Sequence, residues 1–293
     1  MYKIVEKKEI APNIFLMDIE APRVAKSAKP GQFIIIRIDE KGERVPLTIC
    51  DYDLEKGTVT IVFATIGSST NKLATYKAGD SVADFVGPLG QPSEFIHEDL
   101  EELKKQKIVF VAGGVGAAPV YPQVKWLRQN GVDVDVIVGG KTKEFLLLID
   151  EMKELGASVY PCTDDGSAGF KGLVTNQLKE LIDSGNKYDV AIAIGPMIMM
   201  KFVAKLTAEY NLKTIVSLNT LMVDGTGMCG ACRVTVGEET KFACVDGPEF
   251  DGHLVNFDEA MRRQTLYKSE EGRKLVAKEK AEGHKCSCMG GQK

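Results

Sequence analysis

No stretch of this 293-residue chain is apolar for long enough to cross a bilayer: the longest such run, "IVFVAGGVGAAPVY" at 108–121, is short and broken by glycine. The opening residues, "MYKIVEKKEIAPN", lack the apolar core of a secretory signal, so the expected location is cytoplasmic. Charge of one sign is not in excess either. Lys and Arg number 37 against 41 Asp and Glu, a net charge of −4, which gives neither nucleic acid nor an anionic membrane an electrostatic reason to bind. Histidine is scarce: His97, His253 and His284 stand in separate polar stretches and read as surface residues, and no Ser-His-Asp or zinc-protease signature is found. Internal repeats are absent.

What is there is ordinary in bulk. Hydrophobic residues at 44% and charged residues at 27% describe a globular protein, long enough for two domains and a small third part. Cysteine is the exception. Seven is an odd number, and Cys229, Cys232 and Cys244 fall within sixteen residues, which in an intracellular protein favours metal or redox chemistry over a disulfide framework. The other four are Cys50, Cys162, Cys286 and Cys288.

Three regions follow from the patterning. Residues 1–100 hold short β-rich runs such as "IFLMDIEA", "GQFIIIRID" and "GTVTIVFATIG", punctuated by Gly, Pro and Asn, which predicts an all-β antiparallel barrel. Residues 101–218 alternate apolar runs ("KIVFVAGG", "VDVDVIVGG", "YDVAIAIGP") with helix-length amphipathic segments ("VYPQVKWLRQNG", "KEFLLLIDEMKELG", "MIMMKFVAKLTAEYN"), which predicts an α/β domain on a parallel sheet. Residues 219–293 are glycine-rich, carry the cysteine triplet and close on a charged, helix-like run; they are too few to form a comfortable domain without a metal or a partner.

In the second region Gly113, Gly114, Val115, Gly116 and Pro119 follow the strand "KIVFVA" and open a helix. Glycines at the carboxyl end of a parallel strand let backbone N–H groups and a helix N-terminus approach a pyrophosphate. Gly195, Pro196 and Met197 follow another strand end, although a plain helix start with Met197, Met199 and Met200 on its core face fits them equally. Asp164 and Asp165 stand where a ribose would be held, and a carboxylate there repels a 2′-phosphate. That leans toward NAD, with Lys141 and Lys143 leaving NADP open.

The order of these parts resembles the ferredoxin-reductase-like flavoproteins, in which a barrel binds flavin and the following α/β domain binds nicotinamide. The resemblance is carried by "RVPLTI" (Arg44, Val45, Pro46, Leu47, Thr48, Ile49), "GSST" (Gly67, Ser68, Ser69, Thr70) and "GPLG" at 87–90. It implies FAD along the Arg44 to Thr48 strand, with its pyrophosphate on the turn at Gly67 to Thr70 and contacts from Phe63, Ala64 and Thr65. The residue types agree with this. Arg44 offers a charge-assisted fork for phosphate, Thr48 a hydroxyl, and the serines small donors at a helix start.

The cysteines read as zinc ligands with one missing, or as a variant of the plant-type [2Fe–2S] spacing C-x₄-C-x₂-C with a distant fourth cysteine. Asp224 occupies the first position of that pattern, ahead of Cys229, Cys232 and Cys244. Cys286 and Cys288 are rival ligands. After a flavin and nicotinamide module a cluster is the more useful partner, since zinc carries no electron. The layout, closing on "VDGPEFDG", resembles the electron-transfer subunit of NAD-dependent dihydroorotate dehydrogenases. It also resembles the small subunit of NADH-dependent ferredoxin:NADP oxidoreductase (Nfn, sulfide dehydrogenase-like), which has aspartate at the variant position. The latter resemblance implies hydride exchange between NAD(H) and FAD, a [2Fe–2S] cluster on Asp224 and the three cysteines, and a larger flavin and iron–sulfur partner that reacts with NADP and ferredoxin in electron bifurcation. The alternatives are a dihydroorotate dehydrogenase partner and a zinc-stabilised module that senses nicotinamide.

Overall fold

The computed structural model describes residues 1–270 together with 272 and 273, so Cys286, Cys288 and His284 lie outside the described residues. The first region is a seven-stranded antiparallel sheet built from β1 (Tyr2–Ala11), β2 (Ile14–Glu20), β3 (Phe33–Arg37), β4 (Arg44–Asp53), β5 (Thr58–Ala64), β6 (Ser81–Val82) and β7 (Asp84–Leu89), in the order β6-β1-β2-β5-β4-β3-β7. The two edge strands, β6 and β7, are separated only by Ala83, so the sheet curls until its edges nearly meet. Alternation along these strands points Met17, Ile19, Ile34, Ile36, Ile49, Ile61 and Phe63 into a fully buried barrel core. Two short helices, α1 (Pro22–Ser27) and α2 (Ser68–Leu73), cover its ends, and α3 (Leu100–Leu103) leads out of it.

The second region is the α/β domain that the apolar runs predict. Its parallel sheet contains β8 (Ile108–Gly113), β9 (Val134–Gly140), β10 (Ser158–Thr163), β11 (Phe170–Lys171), β12 (Val190–Ile194) and β13 (Lys213–Ser217), ordered β11-β10-β9-β8-β12-β13. The helices α4 (Ala117–Gln129), α5 (Ile149–Glu154), α6 (Val174–Asp183) and α7 (Met197–Glu209) flank it. The order reverses at β8, which has β9 on one side and β12 on the other. The carboxyl ends of β8 and β12 therefore border the crevice where open α/β sheets take ligands. "KEFLLLIDEMKELG" is not one helix: a single turn at Lys143–Phe145 and the six-residue α5 are joined through Leu148, whose φ is 58°. Leu147 is buried in the core at this break, so burial of the apolar run overrides helical continuity.

The third region does not stand apart. Its hairpin β14 (Arg233–Val236) and β15 (Glu239–Phe242) is followed by β16 (Glu249–Asp251), which pairs antiparallel with β13 as the edge of the α/β sheet, and by α8 (Phe257–Arg263), which packs on α7. Packing supplies what the segment lacks in size. Cys232, Ala243, Cys244 and Met222 form a hydrophobic cluster with Phe33 and Ile35 of the barrel. A second cluster runs from Ile14, Cys50 and Val62 of the barrel into Phe110, Ala112 and Val124 of the α/β domain, and Lys125 on α4 pairs with Asp51 on β4 at 2.7 Å.

Candidate functional site

A cavity of about 540 Å³ opens where the three parts meet. One wall is the flavin-type strand, at Pro46, Leu47 and Thr48; the other is the glycine turn Gly113 to Gly116 with Pro119, joined by Gly195 and Pro196. Strands far apart in sequence thus bring both predicted cofactor motifs onto one space. Gly114 has φ +55° and only open space where a Cβ would stand, so its backbone is available to a ligand. Gly116 serves a different need, because a Cβ there would overlap the Ile194 carbonyl oxygen and push the turn away from the end of β12.

The cavity also has a floor that the motifs do not contain: Ser217 at the end of β13 and Leu218, Asn219, Thr220 and Met222 after it, with Phe33 and Pro248. The signal for it was available, since β13 is a third parallel strand ending at the same crevice. Thr220 is 8% exposed and its hydroxyl has no hydrogen-bond partner. A buried orphan hydroxyl lining a cavity fits a polar ligand atom seated against it.

Other predicted residues lie off this cavity. The guanidinium of Arg44 is spent on backbone carbonyls of the third region, donating from Nε to Val223 at 2.8 Å and from Nη2 to Asp224 at 3.2 Å. Thr70 caps its own turn: Oγ1 accepts from the amides of Ile66 and Gly67 at 3.0 and 3.1 Å. Ser69 donates to the Glu43 carboxylate at 2.7 Å, and Ser68 is exposed. Val45, Phe63, Ala64 and Thr65 are not part of the cavity lining, and Phe63 is in the barrel core. Asp164 and Asp165 follow β10. The Asp165 carboxylate accepts from Ser167 Oγ and N at 2.6 and 2.9 Å, which holds it below the usual carboxylate range. Met197 and Met200 are buried on the core face of α7.

The cysteine segment is partly assembled. Cys232 and Cys244 are buried with their sulfurs 3.2 Å apart, and burial together with the Cys232 sulfur pushes the Cys244 thiol up to about 12. Cys229 is exposed. Asp224 turns its carboxylate onto its own loop, accepting from the amides of Thr226 at 2.9 Å and Cys229 at 2.8 Å, and these bonds lower its pKa. Among the described residues no three His, Cys, Asp or Glu side chains converge on a metal position. The donor set nonetheless fits a binuclear cluster, which takes its ligands as two pairs. Cys232 and Cys244 form one adjacent pair, and the Cys229 amide bond to Asp224 ties together the other. The loop between them is turned by Gly225, Gly227 and Gly230, all at positive φ. Met222 and Phe33 belong both to the cavity wall and to the hydrophobic cluster that contains Cys232 and Cys244.

Comparison with known proteins follows this division. The iron–sulfur cluster binding domain of dihydroorotate dehydrogenase B matches residues 219–256, and the oxidoreductase NAD-binding domain matches residues 110–205. The chain is 46% identical over 269 residues to the electron-transfer subunit homolog of dihydroorotate dehydrogenase B (NAD(+)) from Thermotoga maritima, covering 92% of each. It is 65% identical to an uncharacterized protein from the adh 3′ region of Clostridium beijerinckii, covering 99% of each. Among solved structures it is similar to a chain of the NADH-dependent reduced ferredoxin-NADP oxidoreductase, a structure bearing on flavin-based electron bifurcation. There the TM-score is 0.85 and the identity 42%, covering 94% of this chain and 98% of that one.

Proposed function

Because the chain belongs to the family of dihydroorotate dehydrogenase B electron-transfer subunits and their homologues, we propose that it is the NAD(H)-reactive electron-transfer subunit of an electron-bifurcating NADH-dependent ferredoxin:NADP oxidoreductase. In this reading it exchanges hydride between NAD(H) and FAD and passes single electrons to a larger partner that carries its own flavin, further clusters and the NADP and ferredoxin sites. The observation that carries the choice within the family is the end-to-end likeness to the ferredoxin-NADP oxidoreductase chain. Asp224 in the first ligand position supports it.

The bound groups would supply the redox chemistry, two electrons as hydride at nicotinamide and flavin and one electron at a time at a [2Fe–2S] cluster. The chain's own residues orient and exclude. Pro46, Leu47 and Thr48 would hold the flavin on the barrel side and the turn at Gly67 to Thr70 its phosphates, while Arg44 braces the cysteine loop through the Val223 and Asp224 carbonyls. The backbone of Gly113 to Gly116 would receive the nicotinamide dinucleotide's pyrophosphate at the start of α4, and Gly195 and Pro196 line the same crevice. The Thr220 hydroxyl, without a partner in the cavity lining, would donate to a polar atom of the bound cofactor. Asp224, Cys229, Cys232 and Cys244 would hold the cluster. Nothing in the cavity calls for a general acid or base.

The test is co-purification of the native complex with metal, sulfide and flavin analysis, followed by assay with each donor. Ferredoxin- and NADP-dependent oxidation or reduction of NAD(H) is expected. A partner that oxidises dihydroorotate would favour the related dehydrogenase, as would an Asp224→Cys variant whose coupling is unchanged or improved. Zinc without flavin or iron–sulfur absorption would sink both redox readings. Asp164 and Asp165 disfavour a 2′-phosphate, so this chain should bind NADH more tightly than NADPH; tighter NADPH binding would contradict that assignment.

A further inference from the structure

Arg263 is the last residue of α8, and its guanidinium reaches back under the turn between Cys229 and Cys232. Nη2 donates to the carbonyls of Gly230 at 3.3 Å and Ala231 at 3.2 Å. Its Nε–H is buried and has no partner among the described residues. Both Arg262 and Arg263 stand in the last turn, where a basic side chain complements the helix carbonyls from solvent; Arg262 is exposed there, whereas Arg263 turns inward. On the other arm of the loop Arg44 donates to the carbonyls of Val223 and Asp224. Each half of the ligand loop therefore carries a guanidinium on its backbone, one delivered by the barrel and one by the C-terminal helix.

Holding two carbonyls requires only a neutral donor. A cation with a donor left unspent in a partly desolvated place costs hydration that a neutral amide would keep, and such a charge is offset when an anion sits nearby. A [2Fe–2S] cluster on three thiolates and a carboxylate is such an anion, and it becomes more negative when it accepts an electron. A fixed positive charge beside it stabilises the reduced form more than the oxidised form.

We propose that Arg263 is a positioning residue for the cluster held by Asp224, Cys229, Cys232 and Cys244: its Nη2 fixes the turn between the two central cysteines, and its charge raises the cluster's reduction potential. The inference rests on the functional reading above, and the two fail separately. If the unmodified chain purified without oxygen contains no iron–sulfur cluster, the functional reading fails before Arg263 is touched.

The experiment is a potentiometric titration of the purified holoprotein, followed by the cluster's visible absorption and electron paramagnetic resonance, for the unmodified chain and for Arg263→Gln and Arg263→Lys. Iron and sulfide per flavin report occupancy in each. The expected result is that Arg263→Gln, which keeps a neutral donor, retains the cluster at a lower midpoint potential, while Arg263→Lys stays near the unmodified value. A full complement of cluster in Arg263→Gln at an unchanged potential would overturn the proposal. If Arg263→Gln loses the cluster, Arg263→Lys decides. An occupied site at the original potential supports the charge, and a lost cluster or lowered potential with the charge still present refutes it.

Discussion

Asp224 is both an expected ligand and the cap of its own loop, and its replacements separate the two roles. Asp224→Ala removes the acceptor of the Thr226 and Cys229 amides along with the carboxylate, whereas Asp224→Asn keeps an acceptor and removes only the anion. Both variants should lose or weaken the cluster while flavin absorption persists, Asp224→Ala more severely. An electron paramagnetic resonance signal identical to that of the unmodified protein would show that Asp224 is not a ligand. Thr220 tests the cavity in the opposite sense. Its hydroxyl is unsatisfied without a bound group, so Thr220→Val should stabilise the cofactor-free chain by about 1 kcal/mol and weaken cofactor retention. Unfolding of the stripped protein and flavin content after dialysis read the two effects, and a variant that loses stability and keeps its flavin contradicts the assignment.

At the level of the element, the turn joining β8 to α4 contains glycines with distinct duties. Gly116→Ala drives a Cβ into the Ile194 carbonyl at the end of β12 and should cost about 2–4 kcal/mol of stability. Gly114→Ala meets open space and is penalised only by its positive φ, about 1–2 kcal/mol. The second variant should remain folded yet lose affinity for NADH by more than its stability loss implies, because its methyl group occupies the approach to the backbone. Denaturation and NADH titration of both variants check the ranking; equal stability costs would mean that the close approach of the turn to Ile194 is not what Gly116 protects.

The whole molecule is pinned where its three regions meet. Glu249 on β16 is partly buried, with Oε2 enclosed, and accepts at Oε1 from Ser93, beyond the barrel, and from Gln123 on α4, each at 2.9 Å. Glu249 Oε2 and Gln123 Oε1 are both buried without a donor, the arrangement that a protonated acid paired with an amide would complete. Burial, with a smaller push from Glu94, raises this carboxyl to about 7 from 4.5. A folded state that keeps its proton where the unfolded chain has lost it is most favoured below the unfolded value. The contribution is lost as pH rises from 4.5 through 7, to about 3 kcal/mol. Glu249→Gln should therefore match the unmodified chain near pH 5 and exceed it in stability by pH 8. Denaturation curves at the two pH values measure this, and parallel pH dependences would refute a neutral Glu249.

Much of this protein was legible in one dimension because its signals are local. Period-two runs, buried Val and Ile stretches, glycines after strands and the C-x₂-C pair each follow from the backbone geometry of a few neighbouring residues. The motifs of flavin, nicotinamide and cysteine regions could be named without knowing that they meet. Tertiary structure decided the rest, since contact between residues 179 or 156 positions apart leaves no periodic trace. It turned Arg44 onto the cysteine loop, set Ser93 against Glu249, and placed Thr220 and Met222 in the floor of the cavity. Local geometry chose the elements, and long-range packing chose which of their side chains share a site.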